Sequence, residues 1–356
     1  MKIVRLTTSL DFGGQEKKYI SFSQQRTLFR NIYTFGAIGR GGFAENLLKS
    51  NNFNVQIFGK NPSIKNLQNI LLLYKWLKLE KPNVLHTAAG EANFHGIIAA
   101  KLAGVPVIIA EEIGFPSHSK TARFVFAILY RFATRVICVS EAVKNFLIEI
   151  GEISPEKGTV IYNPVSSPKF FERDRQNSFT IVSVGRFEKV KNQRLLIQAI
   201  YTMQVPNIRL ILVGDGSERT NLQSLIEELG LQEKVIITGF VSEPERYLAK
   251  ADLFVLPSLS EGFGIAAVEA MLCAVPCLCS KVGGIPEFIR DGETGWLFDP
   301  SNPEELTQKL QMILNMDPVQ MADIGSKGKA YVSDRFTEAK YVEQLENLYQ
   351  KLACHD

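Results

Sequence analysis

The chain has 356 residues, 46% hydrophobic and 22% charged, a length beyond what one hydrophobic core usually serves and a composition that excludes a disordered chain. No run of about 18 uncharged apolar residues occurs, which speaks against a membrane-spanning helix. The net charge of +3 hides an asymmetry: residues 1–163 hold 20 Lys and Arg against 11 Asp and Glu, so residues 164–356 carry six more acids than bases. A basic first half suggests an anionic partner such as a phospholipid surface, a lipid diphosphate or a nucleic acid, and no nucleic-acid motif is present.

Met1-Lys2-Ile3-Val4-Arg5-Leu6 reads as a first strand and lacks the long apolar core and cleavage site of a signal peptide, so the cytoplasm is the expected compartment. Short apolar runs then alternate with helical patterns, as βαβ units do. Strands are expected at residues 3–7, 55–58, 84–86, 107–110 and 136–139 in the first half, and at 180–184, 209–213, 234–238, 253–256 and 275–279 in the second. The fold class is therefore α/β with two Rossmann-like domains. Gly13 and Gly14 follow the first strand and are expected to let backbone approach a phosphate, without the Gly-x-Gly-x-x-Gly spacing of a dinucleotide site. The run from Gly36 to Phe43 lacks the Gly-Lys-Ser/Thr ending of a triphosphate loop and reads as a mobile loop.

Residues 117–135 mix cations with bulky apolar residues at helical spacing, which fits either an ordinary amphipathic helix or one lying on an anionic membrane. Ser140 caps a helix that runs to Gly151. Tyr162-Asn163-Pro164-Val165-Ser166-Ser167-Pro168 has two prolines and no periodicity and reads as linker and hinge, giving domains 1–163 and 164–339. A last helix is expected over about 340–356 from its helical period.

The second half carries the chemistry. The strand ending in Leu256 leads into Ser260-Glu261-Gly262-Phe263-Gly264-Ile265, which opens a helix containing Glu269. In open α/β sheets ligands bind beyond the carboxyl ends of strands, and a helix N-terminus there offers N–H groups to a phosphate. Glu269 lies about 7 Å along the helix at roughly 1.5 Å per residue, far enough to pass the phosphates and accept from ribose hydroxyls. Arg186 and Lys191 lie just past another strand, where cations can hold a diphosphate. Gly214-Asp215-Gly216 on its own reads as a simple turn, and Phe240 reads first as a core residue. The five cysteines, an odd number, read as reduced thiols; Cys277 and Cys279 share one strand face with no His nearby, so no metal site is expected.

The seven-residue spacing of Glu261 and Glu269 resembles the signature of glycosyltransferase family 4. Thr180–Arg186 with Lys191, Leu212-Val213-Gly214-Asp215-Gly216 and Val282-Gly283-Gly284-Ile285-Pro286-Glu287 match that family in order and spacing. The resemblance implies two domains facing across a cleft (GT-B architecture), with the helix over about 340–356 crossing back to the first domain, and a retaining, metal-independent transfer of a hexose or N-acetylhexosamine from a nucleoside-diphosphate sugar, UDP-sugar first among them, with no cofactor. Arg186, Lys191 and Glu261 would form the catalytic set. Gly13, Gly14, Gly214, Phe240, Val241, Gly262, Phe263, Gly264, Ile265 and Glu269 would bind the donor. The leaving phosphate would help take the acceptor's proton, so no protein base is required. No Asp-x-Asp occurs, in keeping with diphosphate binding without a metal. Many members carry a His after the strand matching residues 107–110; Glu111-Glu112 stands here instead, so Glu112 and, on an earlier strand, His86 are expected contacts to acceptor or donor sugar. The basic first domain favours a lipid-linked saccharide acceptor in cell-surface polysaccharide assembly, with a peripheral place on the inner face of the plasma membrane. The alternatives are a nucleotide-sugar epimerase of the same fold and a noncatalytic sugar-nucleotide-binding protein.

Overall fold

The computed structural model describes residues 1–11, 14–169, 171 and 178–354. The chain folds as two compact units, residues 1–165 with 336–356, and residues 166–335. The first unit therefore closes two residues beyond Asn163, because the Val165 N–H donates to the Phe336 carbonyl at 2.8 Å and fastens the outgoing chain to the returning one. With the returning helix included, this unit keeps an excess of seven cations.

Among the described residues, unit 1 holds a seven-stranded parallel sheet of β1 (Lys2–Thr7), β2 (Ile32–Ala37), β3 (Asn54–Ile57), β4 (Val84–Ala88), β5 (Val107–Glu112), β6 (Arg135–Cys138) and β7 (Gly158–Val160), in the order β3-β2-β1-β4-β5-β6-β7. Unit 2 holds a six-stranded parallel sheet of β8 (Phe179–Val184), β9 (Ile208–Val213), β10 (Val235–Ile237), β11 (Leu253–Leu256), β12 (Cys277–Ser280) and β13 (Trp296–Phe298), in the order β10-β9-β8-β11-β12-β13. Helices cover both faces, which is why strands such as Leu253–Leu256 are buried throughout and read as unbroken apolar runs rather than alternating ones. The strand order of each sheet reverses direction once, between β1 and β4 in unit 1 and between β8 and β11 in unit 2, and such a reversal opens a crevice at the carboxyl edge.

Three strands escape the sequence reading. β7 and β13 have three residues each, too short for a periodicity to register. β2 is hidden by its own glycine. Gly36 belongs to the strand, and a Cβ there would stand 2.6 Å from Cη2 of Trp76, so glycine is required by a ring packed on the sheet. The expectation of a mobile loop from Gly36 is thus corrected: Gly36 and Ala37 are strand, and a Cβ at Gly39 would meet the Thr8 carbonyl oxygen at 2.9 Å.

The helix Lys120–Phe132 is capped by Ser119 Oγ, which accepts from the Ala122 N–H, and Glu141–Glu149 by Ser140 Oγ, which accepts from the Val143 N–H. The terminal helix Glu338–Ala353, capped by Thr337, buries Tyr341, Val342, Leu345, Tyr349 and Leu352 in the core of unit 1 beside Ile3, Phe22, Phe35 and Ile109. The core of unit 2 gathers Ile181, Leu210, Leu253 and Leu278 from its sheet with Leu196, Ile200 and Leu225 from its helices.

Candidate functional site

In unit 2 the sequence-named residues collect on the carboxyl edge around the reversal between β8 and β11. Arg186 and Lys191 follow β8, Gly214 follows β9, Gly239, Phe240 and Val241 follow β10, and Glu261 follows β11. Lys191 Nζ donates to Glu261 Oε1 at 2.6 Å, and the Leu259 N–H donates to the Val190 carbonyl at 2.7 Å, so the two loops are joined by both side chain and backbone. Ser258 Oγ also donates to Glu261 Oε1, at 2.7 Å, which orients the carboxylate. The sequence reading did not single out Ser258; its place three residues before Glu261 is the only signal it offers. Arg186 is two-thirds exposed and its Nη1 lies 3.2 Å from Glu188, a surface pair of small net value that the guanidinium can leave for a phosphate.

Gly264 is the N-cap of the helix Ile265–Leu272 at φ 102°, and a Cβ would stand 2.3 Å from Ile285 Cδ1. Both facts require glycine here. The turn leaves the first N–H groups of the helix without intrahelical partners beside the Lys191–Glu261 pair. Glu269 lies one turn into that helix and is half-buried. Ile265 and Gly262 are half-buried, whereas Phe263 packs its ring on Phe288, 5.4 Å between centroids, so its side chain belongs to the core and only its backbone can face a ligand. Gly214 sits at φ 145° with its N–H donating to the Gly239 carbonyl, and a Cβ would collide with the Gly185 carbonyl oxygen at 2.0 Å. Phe240, read first as core, is 64% exposed. The strand before it ends at Ile237, and Thr238 and Gly239 carry the ring off the sheet edge.

In unit 1, Gly13 lies outside the described residues, and Gly14 opens the helix Gly14–Gln24. Glu111 and Glu112 end β5, and the two-residue period of a strand sends them to opposite faces of the sheet. Glu111 is fully buried, hydrogen-bonded to Lys18 and packed against His86 of the adjacent β4 and Arg5 of β1, one strand further on. Arg5 stands between the Tyr19 and Phe22 rings, 4.7 Å from each centroid, and donates to the Tyr341 hydroxyl at 3.0 Å. His86 is buried with Nδ1 2.6 Å from the Tyr349 hydroxyl and Nε2 3.2 Å from Glu111. The expected sugar contact by His86 is therefore corrected: this imidazole is enclosed in a polar knot that holds the terminal helix, and burial lowers its pKa to about 4. Burial would raise Glu111, but the opposing attraction of Lys18, His86 and Arg5 wins and holds it below the usual carboxylate range.

Glu112 faces the other way, into a cavity of about 670 Å³ at the carboxyl edge of β4 and β5. Asn93 Nδ2 donates to its Oε1 at 3.0 Å and the Tyr130 hydroxyl makes a short bond to the same oxygen. Asn93 is itself set by the Glu111 carbonyl at 3.1 Å and by Thr87 Oγ1, which donates to its Oδ1 at 2.7 Å. Burial, only partly offset by these bonds, raises Glu112 to about 7. Ala89, just before the helix Gly90–Ala103, stands at φ 79° and ψ 150°, a region used almost only by glycine and worth roughly 1–3 kcal/mol of strain. Asn93 and Glu152 carry no signal in the sequence, and His118 and Tyr130 enter it only as members of the amphipathic segment 117–135; only the fold brings the four together.

Among the described residues no group of three His, Cys, Asp or Glu side chains is arranged to hold a metal ion, and Cys277 and Cys279 are buried in β12. No helix among the described residues is long and apolar enough to cross a membrane.

Known proteins resemble this chain in sequence and fold. The profile described as Glycosyltransferase Family 4 matches residues 42–167, and that described as Glycosyl transferases group 1 matches residues 167–331. The chain is 28% identical over 310 residues, 80% of each chain, to the UDP-Gal:alpha-D-GlcNAc-diphosphoundecaprenol alpha-1,3-galactosyltransferase of Escherichia coli. It is also 28% identical over 302 residues, 80% of each chain, to the N-acetylgalactosamine-N,N'-diacetylbacillosaminyl-diphospho-undecaprenol 4-alpha-N-acetylgalactosaminyltransferase of Campylobacter jejuni. The crystal structure of Anabaena HepE in complex with UDP-glucose superposes with a TM-score of 0.84 at 26% identity, covering 99% of this chain and all of that one. With two parallel-sheet units of GT-B type and family profiles spanning both, the chain belongs to glycosyltransferase family 4 and is a glycosyltransferase.

Proposed function

We propose that this protein is a retaining, metal-independent transferase that moves a hexose or N-acetylhexosamine from a UDP-sugar to a saccharide carried on a lipid diphosphate. The observation that carries the donor half is the Lys191–Glu261 pair bridging the loops after β8 and β11, next to a glycine turn that opens a helix. Lys191 and Arg186 would hold the diphosphate, whose negative charge grows as the glycosidic bond breaks, so fixed cations act most strongly in the transition state. Glu261 would accept from a hydroxyl of the transferred sugar, Glu269 from the ribose hydroxyls, and the exposed Phe240 ring would face the base. HepE binding UDP-glucose supports the choice of donor.

The acceptor half draws on the diphosphoundecaprenol substrates in the names of the two bacterial relatives. A surface of unit 1 suits a lipid-borne acceptor. Phe124, Ile128 and Phe132 of the helix Lys120–Phe132 are exposed beside Arg123 and Arg131, Lys101 lies over the Phe132 ring at 5.9 Å, and Leu102 is exposed next to it. Apolar side chains flanked by cations match an anionic membrane face.

The test measures UDP release from a panel of UDP-sugars in EDTA, with and without lipid-linked saccharides. Acceptor-dependent release by the wild type, lowered about 100- to 1,000-fold by Lys191→Ala and strongly by Glu269→Ala, is expected. Tight UDP-sugar binding with no release from any donor would overturn the proposal in favour of a noncatalytic sugar-nucleotide-binding protein.

A further inference from the structure

The cavity in front of Glu112 carries more chemistry than one carboxylate. Its lining includes Glu112 and Glu91, Asn61, His118 and the rings of Phe115 and Phe126. His118 lies flat on Phe126, 4.2 Å between centroids and 19° between planes. Its Nδ1 donates to Glu152 Oε1 at 2.7 Å, and Glu152 is itself buried. With one ring nitrogen held in this way and one ring face covered, Nε2 is the polar atom left to a ligand. Glu112 is organised in the same manner: Asn93 and Tyr130 both bond Oε1, and Oε2 has no partner among the described residues.

Carboxylate and imidazole atoms fixed in this way at the rim of apolar rings match one ligand class. A pyranose offers vicinal hydroxyls as donors and acceptors on its edge and C–H groups on its face. The volume lies within the range of ligand pockets, about 300–1,000 Å³. A diphosphate or another anion would meet two carboxylates here and is disfavoured.

We propose that this cavity seats the sugar of the acceptor, that Glu112 Oε2 accepts from one of its hydroxyls, and that His118, held by Glu152, determines which sugar is accepted through a hydrogen bond at Nε2. Asn93 and Tyr130 are positioning residues that act through Glu112, and Glu152 is one that acts through His118. The assignment rests on the transferase reading, and its test is built so that the two can fail separately.

The test uses the full-length protein with octyl pyranosides of glucose, galactose, N-acetylglucosamine and N-acetylgalactosamine as acceptor probes. Their binding is read by saturation-transfer NMR, UDP binding by calorimetry, and transfer by kcat and KM. His118→Asn keeps a donor for Glu152 and removes Nε2, whereas His118→Gln places an amide nitrogen near where Nε2 stands. We expect one or two of the pyranosides to bind the wild type. Their dissociation constants, and the acceptor KM where transfer occurs, should rise about tenfold in His118→Asn and Glu112→Gln. His118→Gln should recover part of the loss or change the order of preference among the sugars, with UDP affinity that of the wild type in every variant. Transfer with an acceptor KM unchanged by both substitutions would overturn the cavity while leaving the transferase. Pyranoside binding that depends on His118, without any transfer, would leave the cavity and overturn the transferase. Absence of both binding and transfer would overturn both, and an equal loss of UDP affinity would show a general loss of folding instead of a sugar site.

Discussion

The Lys191–Glu261 pair of unit 2 and the Lys18–Glu111 pair of unit 1 are the same chemical couple kept under opposite conditions. Lys191 is 24% exposed and belongs to a loop at a sheet edge, whereas Lys18 and Glu111 are sealed within the unit, with Arg5, His86 and Tyr341 around them. Lys191 reaches water although Glu261 is buried, so a ligand phosphate can compete with the carboxylate for this cation. Nothing can replace a partner of the second, so it serves architecture: it ties the helix Gly14–Gln24 to β5 and anchors Arg5 and His86, which in turn hold Tyr341 and Tyr349 of the terminal helix. An ion pair's role is decided by what else can reach it.

The largest effect that would break this comparison is on stability. Glu111→Ala leaves Lys18 and Arg5 buried without their anion and should destabilise the protein by about 3–5 kcal/mol in denaturant unfolding, against a smaller loss for Glu261→Ala, whose partner Lys191 reaches water. Equal losses would mean that the two pairs are not different in kind.

A second prediction concerns Glu112, whose burial raises it to about 7 from an ordinary value near 4.5. The groups around it are Tyr130 and His118, Glu152, Cys138 on the adjacent strand, Glu111 on its own strand and Glu91 on the cavity wall. A carboxyl group whose pKa is raised on folding contributes stability that is full below about pH 4.5 and is lost as pH rises through about 7. Glu112→Gln keeps an acceptor for Asn93 and Tyr130 without the titration. Its melting temperature relative to the wild type should therefore climb between pH 5 and pH 8, by the equivalent of up to about 3 kcal/mol. A difference that stays flat over that range would show that the site is open to water. The smallest effect is at the turn: Gly264→Ala should lose about 1–2 kcal/mol, since alanine is strained at φ 102° and its methyl group meets Ile285, and UDP affinity should fall with it. An alanine variant with wild-type stability and affinity would remove the turn from the donor site.

The donor loops were legible in the sequence because each lies within a short stretch: a strand end, a glycine and a charged side chain a few residues on, repeated after β8, β9 and β11. Their convergence on one edge follows from parallel strand order alone. The first unit was less legible. His86 stands at a strand end like a contact residue, and only packing against Tyr349, 263 residues later, removes it from solvent. Arg5 was hidden in a strand, and the hydroxyl it meets is 336 residues away. Phe240 shows the converse, an aromatic residue that reads as core but is carried off the sheet edge.

The sequence by itself determined two α/β domains, the place of most of their strands along the chain and the positions of Lys191, Glu261, Gly264 and Glu269, because buried strands, helix starts and glycine turns are local properties of the chain. Tertiary structure alone decided that adjacent Glu111 and Glu112 have opposite careers, one locked among cations and the other opening on a cavity. Successive side chains on a strand point to opposite faces, and what covers each face is supplied by helices far away in the chain, so no local pattern around residues 111 and 112 could distinguish them.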